Sequence, residues 1–338
     1  LKGVVMRNFG MGEPLNHVGR EVAQIGRHTG FRTFMQEVDI SPTSPDTGYS
    51  WAQDFMTFLT NGKLWGTKIL EQYDKAIAQI SGTKIEQKPV HITGGNFFII
   101  KDGEEDALII GKNELKTYTK SELQKHFGVE KIYPVSQPDF HIDMGIRPLD
   151  NKTILVNDEK MMLKNIAHGL GRATNFLTEE GFNFKYLCTR DSLLGVLMMT
   201  AGAKPHSATC ESNKIIQQEL TDYGFNVVKV PGALLRQNTV SDDSPFSHYL
   251  LNFMNAIVHK APNGDLIYLT NKSKLDFICN ISPEMSEEIG FGFEKAFKES
   301  VKDYIKPENI HFISADGYVP NMLEHSQGGI HCLCAEIP

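Results

Sequence analysis

The sequence predicts an α/β fold built from one hairpin module used repeatedly, with mixed sheets and the modules gathered in a ring. Three observations lead there. Four segments read as an apolar run, a tight turn and a second apolar run. Stretches patterned as helices separate them. Each hairpin is opened by a polar residue, and a ring of such modules would point those residues toward one axis.

Taken in order, Leu15, Val18, Val22 and Ile25 recur at helical spacing, with Gly30 as the stop. DFMTFLTNGKLWG forms the first hairpin around Asn61-Gly62. Ile69, Tyr73, Ile77 and Ile80 then predict a helix over 66–80. NFFIIKDGEEDALIIG turns at Asp102-Gly103, and DMGIRPLDNKTILVND at Asp150-Asn151. Asn-Gly and Asp-Gly supply the left-handed backbone that tight hairpin turns need. LLGVLMMTAGA (193–203) reads as a buried core helix, too short to cross a bilayer. Residues 212–223, Gly224 and NVVKVP read as helix, cap and strand. NAIVHKAPNGDLIYLT is the fourth hairpin, and a helix around 285–304 ends before Pro307. The polar openers are Asp54, Asn96, Asp143 and Asn255, and Cys332 opens a fifth element that the chain end cuts short.

The chain has 338 residues, is 41% hydrophobic and carries a net charge of −7. No linker or composition shift divides it, so residues 1–338 are expected to form a single domain. Without a dense basic block, a nucleic-acid partner is not expected. Neither is a membrane partner; a homo-oligomer stays open. The five cysteines (Cys188, Cys210, Cys279, Cys332 and Cys334) fit neither a disulfide nor a zinc framework. A reducing, cytoplasmic setting is the expectation.

The polar openers suit chemistry on a planar cation. A guanidinium presents a fork of N–H donors that carboxylates grip with charge-assisted, paired hydrogen bonds. Asp54 and Asp143 are of the right type. Its central carbon is electron-poor but resonance-stabilised, so it needs a soft nucleophile and a proton donor for the departing amine. Cys332 is the candidate nucleophile and His141 the general acid and base. Blander readings exist for each. A cysteine near a chain end is usually a small buried residue, and Cys334 reads that way. His141 and Asp143 make an equally ordinary structural pair, or metal ligands together with His325, His331 and Cys332. No Walker, HExxH or GxSxG motif competes.

These motifs resemble the guanidino-group-modifying, or pentein, superfamily, and among its members agmatine deiminases and peptidylarginine deiminases. GGIHCLCAEIP looks like the C-terminal cysteine segment of agmatine deiminases, and FHID like the His-x-Asp of deiminases and amidinotransferases. WAQD is similar to a Trp-x-Gln-Asp of peptidylarginine deiminases. HYLLNF is similar to an Asn-Phe segment of agmatine deiminases. The resemblance covers roughly residues 50–338. It implies a five-bladed α/β propeller of ββαβ units with pseudo-fivefold symmetry. It implies Cys332 as nucleophile, His141 as acid and base, and Asp54 and Asp143 as guanidinium-binding carboxylates. The reaction implied is loss of ammonia through a covalent amidino-thioether, then hydrolysis to a ureido product. No metal or cofactor takes part in it. Trp51, Asn96, Asn255 and Arg236 are expected to contact substrate. Agmatine deiminases carry Glu before the double glycine, where this chain has Thr93. The substrate therefore stays open among agmatine, arginine and arginyl peptides or proteins. An amidinotransferase and a non-catalytic binding protein of the same fold are the alternatives.

Overall fold

The structure, a computed structural model, describes residues 2–8, 13–37, 52–66, 71–87, 89–137, 141–162, 164–165, 208–232, 252–272, 293–315 and 329–338. Its N-terminal elements are β1 (Gly3–Asn8), α1 (Glu13–Thr29) and β2 (Arg32–Glu37). The short helix α2 (Ala52–Phe55) leads into the hairpin β3 (Thr57–Phe58) and β4 (Lys63–Gly66). Helix α3 (Glu71–Ser81) and strand β5 (Lys84–Gln87) follow. The same sequence of elements recurs with β6 (Phe97–Asp102), β7 (Glu105–Gly111), α4 (Lys120–Phe127) and β8 (Lys131–Val135). It recurs again with β9 (Ile146–Pro148), β10 (Thr153–Asp158), α5 (Ala208–Asp222) and β11 (Asn226–Pro231). The fourth copy has β12 (Ile257–Lys260), β13 (Leu266–Asn271), helical residues 293–301 and β14 (Ile310–Ile313). The last strand is β15 (Cys334–Ile337).

Among the described residues the strands form five separate three-stranded sheets. In each, the first two strands are antiparallel and the third runs parallel to the second. Phe97 pairs with Ile110, and Ile109 with Tyr133, for example. A hairpin fixes the antiparallel pair, while a parallel neighbour requires a crossover, which the helix provides. All four sequence-predicted hairpins are present, and the sheets are mixed as expected. Gly30 and Gly224, read as helix stops, have φ values of 96° and 88°. That left-handed conformation turns the chain out of the helix and toward the parallel strand.

The fifth unit departs from the expectation. It is not cut short. β15 pairs antiparallel with β1, Met6 opposite Cys334 and Gly3 opposite Ile337. α1 and β2 then complete the module, β2 running parallel to β1. The two ends of the chain build one module together, and β1 is held by strands on both sides.

Among the described residues, four pairs of neighbouring modules share apolar cores. Trp65 of the first packs edge-on against Phe127 of the second, their ring centroids 4.9 Å apart, and Phe127 meets Phe97 in the same way. Ile109 of the second joins Ile154 and Leu220 of the third. Ile257 and Leu269 of the fourth pack with Val4, Val18 and Leu333 of the fifth. Val5 and Ala335 of the fifth pack with Met56 and Leu64 of the first. Trp65 is buried, so truncation leaves a void that rigid strands cannot close. Trp65→Ala is expected to lose about 3–5 kcal/mol, read as a lower urea midpoint. A loss below about 1 kcal/mol would mean that the first two modules do not rely on this contact.

One helix reading needs correction. Helix α3 spans Glu71–Ser81, and Ile80 in its last turn is 59% exposed rather than part of the apolar stripe. The 285–304 helix is described only from residue 293, and the 193–203 helix lies outside the described residues. No helix among the described residues is long and apolar enough to cross a membrane.

Candidate functional site

Short turns before β6, β9, β12 and β15 carry polar residues, and the four-residue helix α2 before β3 carries Asp54. Asn96 closes the 3-10 turn Gly94–Asn96, and Asp143 lies in the 3-10 turn Ile142–Met144. Asn255 sits in a bend before β12, and Cys332 in a turn before β15. A turn aims its side chains across the strand ends instead of along a sheet face. From these turns Asp143, Asn255 and Cys332 converge.

His141, Asp143 and Cys332 each present a ligand or reactive atom, all within 4.8 Å of one another. The Cys332 Sγ lies 3.9 Å from Asp143 Oδ2. His141 Nδ1 is 4.0 Å from the other oxygen, Oδ1. All three residues are buried. Asn255 donates through Nδ2 to Asp143 Oδ2 at 2.8 Å and to Cys332 Sγ at 3.0 Å.

His331, beside the cysteine in sequence, enters from the opposite side. Its Nδ1 is 2.8 Å from Asp143 Oδ2, and the Gln53 Nε2 lies 2.8 Å from Nδ1 and 3.2 Å from Nε2. A carboxylate only accepts, so it is the Nδ1–H that donates to Asp143. Its ring stacks on Phe98, 6.0 Å between centroids, and the Arg147 guanidinium lies over the Phe98 ring. Arg147 in turn donates to Glu336 at 2.6 Å. A cleft of about 210 Å³ opens on this side, lined by Gln53, His331, Phe97, Phe98 and Glu336.

The glycines of TGGN and GGIHC are required by close approach. A Cβ on Gly95 would lie 2.8 Å from His141 Cγ and 2.9 Å from Asp143 Oδ1. One on Gly329 would lie 2.6 Å from Asn255 Oδ1. Either substitution pushes directly on the cluster.

Burial holds the His141 imidazole down, to a pKa of about 4. Burial lowers His331 as well, with Arg147 and His141 adding to the effect. Both histidines are therefore neutral at pH 7 in the free protein. A histidine whose folded pKa lies below its unfolded value of about 6.5 takes up protons more readily when unfolded. Its stabilising contribution is complete above pH 6.5 and is lost as the pH falls to about 4. For His141 the difference amounts to about 3 kcal/mol at 1.36 kcal/mol per unit, and His331 acts with the same sign. Urea midpoints should therefore fall between pH 6.5 and 4, and His141→Gln should flatten that fall. A variant with an unchanged slope would contradict the assignment.

The remaining sequence-predicted residues fall differently. Asn96 is held at both ends of its carboxamide, donating to Glu114 at 2.6 Å and accepting from Gln137 at 3.0 Å. Asn255 is likewise spent on protein partners. Asp54 lies in α2, but its side chain, like Trp51 and Arg236, lies outside the described residues. His325 lies outside them too. The neighbouring Gln53 ties α2 to the cysteine turn, its N–H reaching the Cys332 carbonyl at 3.3 Å. Cys334 is buried in the core, as expected, and burial drives its thiol pKa strongly up. Sequence reasoning assigned no site role to Gln53, and considered His331 only as a metal ligand. Their adjacency to Asp54 and Cys332 was the available signal.

No family model and no curated protein matches the chain in sequence. Solved structures do match it in fold. The agmatine deiminase of C. jejuni is 14% identical with a TM-score of 0.52, covering 98% of this chain and 92% of that one. The same enzyme with substrate bound gives a TM-score of 0.53 at the same identity and coverage. A Porphyromonas gingivalis protein assigned as an arginine deiminase is 13% identical with a TM-score of 0.53, covering 98% and 94%. These matches extend over the N-terminal module as well as the segment from residue 50 onward. The chain shares its overall fold with these solved structures.

Proposed function

We propose that this pentein-fold chain is a guanidino-group hydrolase that forms a covalent intermediate on Cys332. The observation that carries the reading is the meeting of Cys332, His141 and Asp143, drawn from turns nearly two hundred residues apart, within 4.8 Å. Residues 1–338 act as one catalytic domain. Its five modules are arranged as a five-bladed α/β propeller with pseudo-fivefold symmetry, a reading supported by the cores that neighbouring modules share.

Asp143 grips one edge of the guanidinium and Asp54 another, fixing its carbon over the Cys332 sulfur. His141 enters neutral, as its burial dictates. It takes the thiol proton as sulfur attacks the carbon, then delivers that proton to the departing amine. Ammonia leaves and an amidino-thioether remains. Water, deprotonated by His141, then displaces the sulfur to give the ureido product. The rest of the substrate is assigned to Trp51 and Arg236. Thr93, where agmatine deiminases carry Glu, removes one acidic contact that agmatine would have in the site. Peptidyl-arginine and free arginine are therefore equal candidates.

The test is a panel of agmatine, arginine and arginyl peptides, with ammonia and ureido product assayed together. Equimolar formation of both from one member supports the reading. Transfer to added glycine, with ureido product suppressed, would instead make the chain an amidinotransferase. No turnover of any member would remove the hydrolase assignment. The same three side chains also suit a metal ion, which favours a metal-dependent hydrolase as the second reading. Full activity after exhaustive chelation excludes it, and loss restored by one metal would establish it.

A further inference from the structure

Asn255 is buried at the centre of the cluster, and its orientation is determined by its partners rather than by choice. Its Oδ1 faces two backbone N–H groups, those of His331 at 2.9 Å and Cys332 at 3.3 Å. Both are obligatory donors, so the oxygen must be the atom that meets them. The Nδ2 is thereby turned toward Asp143 Oδ2 at 2.8 Å and Cys332 Sγ at 3.0 Å, with the weakly accepting Met144 Sδ farther off at 3.6 Å. Exchanging the two ends of the carboxamide would oppose donors to donors on one side and acceptors to acceptors on the other.

The electrostatic problem at this point is specific. A cysteine that attacks carbon must be a thiolate. Yet the Cys332 sulfur lies 3.9 Å from the buried carboxylate of Asp143, and two adjacent negative charges oppose each other. Burial disfavours the charged form of the His141 imidazole. Asn255 has two N–H bonds, and it aims one at each of the two groups. A carboxamide in this position lowers the energy of both anions together without adding a charge that would compete with a cationic substrate.

We infer that Asn255 is the thiolate-stabilising residue of the site: its Nδ2 hydrogen-bonds the ionised Cys332 sulfur and lets it coexist with the Asp143 carboxylate. The inference rests on Cys332 being the nucleophile, and it replaces a substrate-contact role for Asn255. Its placement is reinforced from behind. Asn271 donates through Nδ2 to the carbonyls of Asn252 and Asn255, and its Oδ1 accepts from the Ile330 N–H. Asn252 Oδ1 accepts from the N–H groups of Met254 and Asn255. The carboxamide is therefore held in position before any substrate arrives.

The experiment follows iodoacetamide alkylation of the Cys332 peptide by mass spectrometry across pH, which needs no substrate. Two variants have opposite side effects. Asn255→Asp keeps the acceptor for the two backbone N–H groups but adds a charge. Asn255→Ala adds no charge but drops the acceptor. Both should move the alkylation midpoint to higher pH by a unit or more, and slow alkylation at pH 7 about tenfold. Asn271→Ala, which loosens the same turn without touching sulfur, should move the midpoint clearly less than Asn255→Ala does. A wild-type midpoint in Asn255→Ala would overturn the inference, and so would an equal shift in Asn271→Ala. If Asn255→Asp does not fold, the comparison of the two alanine variants decides alone. Inactivity of wild type on every guanidino compound, with the midpoint shift intact, would sink the hydrolase reading and leave this one standing.

Discussion

Replacing Cys332 with alanine is expected to abolish turnover of whichever guanidino compound the wild type accepts, by on the order of 10⁶ in kcat, the scale of losing a covalent nucleophile. The fold should survive. Cys332 is small and buried in a turn, and the strand that follows is anchored by its own pairing with β1. Removing one sulfur costs little beyond a small void. Circular dichroism and the urea midpoint should stay near wild type while ammonia release disappears. Residual activity within about a hundredfold of wild type would place the chemistry elsewhere, with a metal-activated water as the first alternative.

Asp143→Ala should have the second largest effect, and on two observables. In the proposed reaction the carboxylate grips the guanidinium. Losing one partner of a buried charge pair costs about 2–5 kcal/mol, a fall in kcat/KM of roughly thirtyfold to several thousandfold. The same carboxylate accepts from Asn255 at 2.8 Å and from His331 at 2.8 Å. Its removal strands two buried donors, each costing about 1–3 kcal/mol. The variant should therefore be both crippled and less stable, unlike Cys332→Ala. Asp143→Asn separates the two effects, because its amide oxygen in the place of Oδ2 still accepts from Asn255 and His331 while the charge that grips the guanidinium is lost. A fully stable Asp143→Ala variant would contradict the hydrogen-bond network described above.

Much of the fold was legible because its punctuation is chemical. Asn-Gly and Asp-Gly mark the first two hairpins, and the polar openers lie at equivalent turns in successive modules. The fifth module was not legible, since pairing between Gly3 and Ile337 leaves no trace in local composition. Helix α4 was passed over although Thr119 and Glu122 form a reciprocal cap at its start, a pattern readable three residues apart. In the site, Cys332, His141 and Asp143 were found through residue type and placement, and the structure brings them together. Asn96 and Asn255 were read as substrate contacts because a polar side chain facing a cavity looks the same in sequence whether it serves ligand or protein. His331 was assigned no catalytic part because a histidine next to a nucleophile in sequence is not ordinarily its partner in space. Here the chain turns between them, so that both side chains meet Asp143.

The central claim is that the Cys332 sulfur bonds to a guanidinium carbon during turnover. Acid-quenching the wild type during steady-state turnover, followed by mass spectrometry of the C-terminal peptide, tests it most directly. The account predicts an adduct on Cys332 equal in mass to the substrate less ammonia, absent from Cys332→Ala and from unreacted enzyme. An adduct carrying the bare amidino group would signify transfer chemistry instead. Active turnover with Cys332 unmodified at every quench time, and with activity retained in Cys332→Ala, would contradict it.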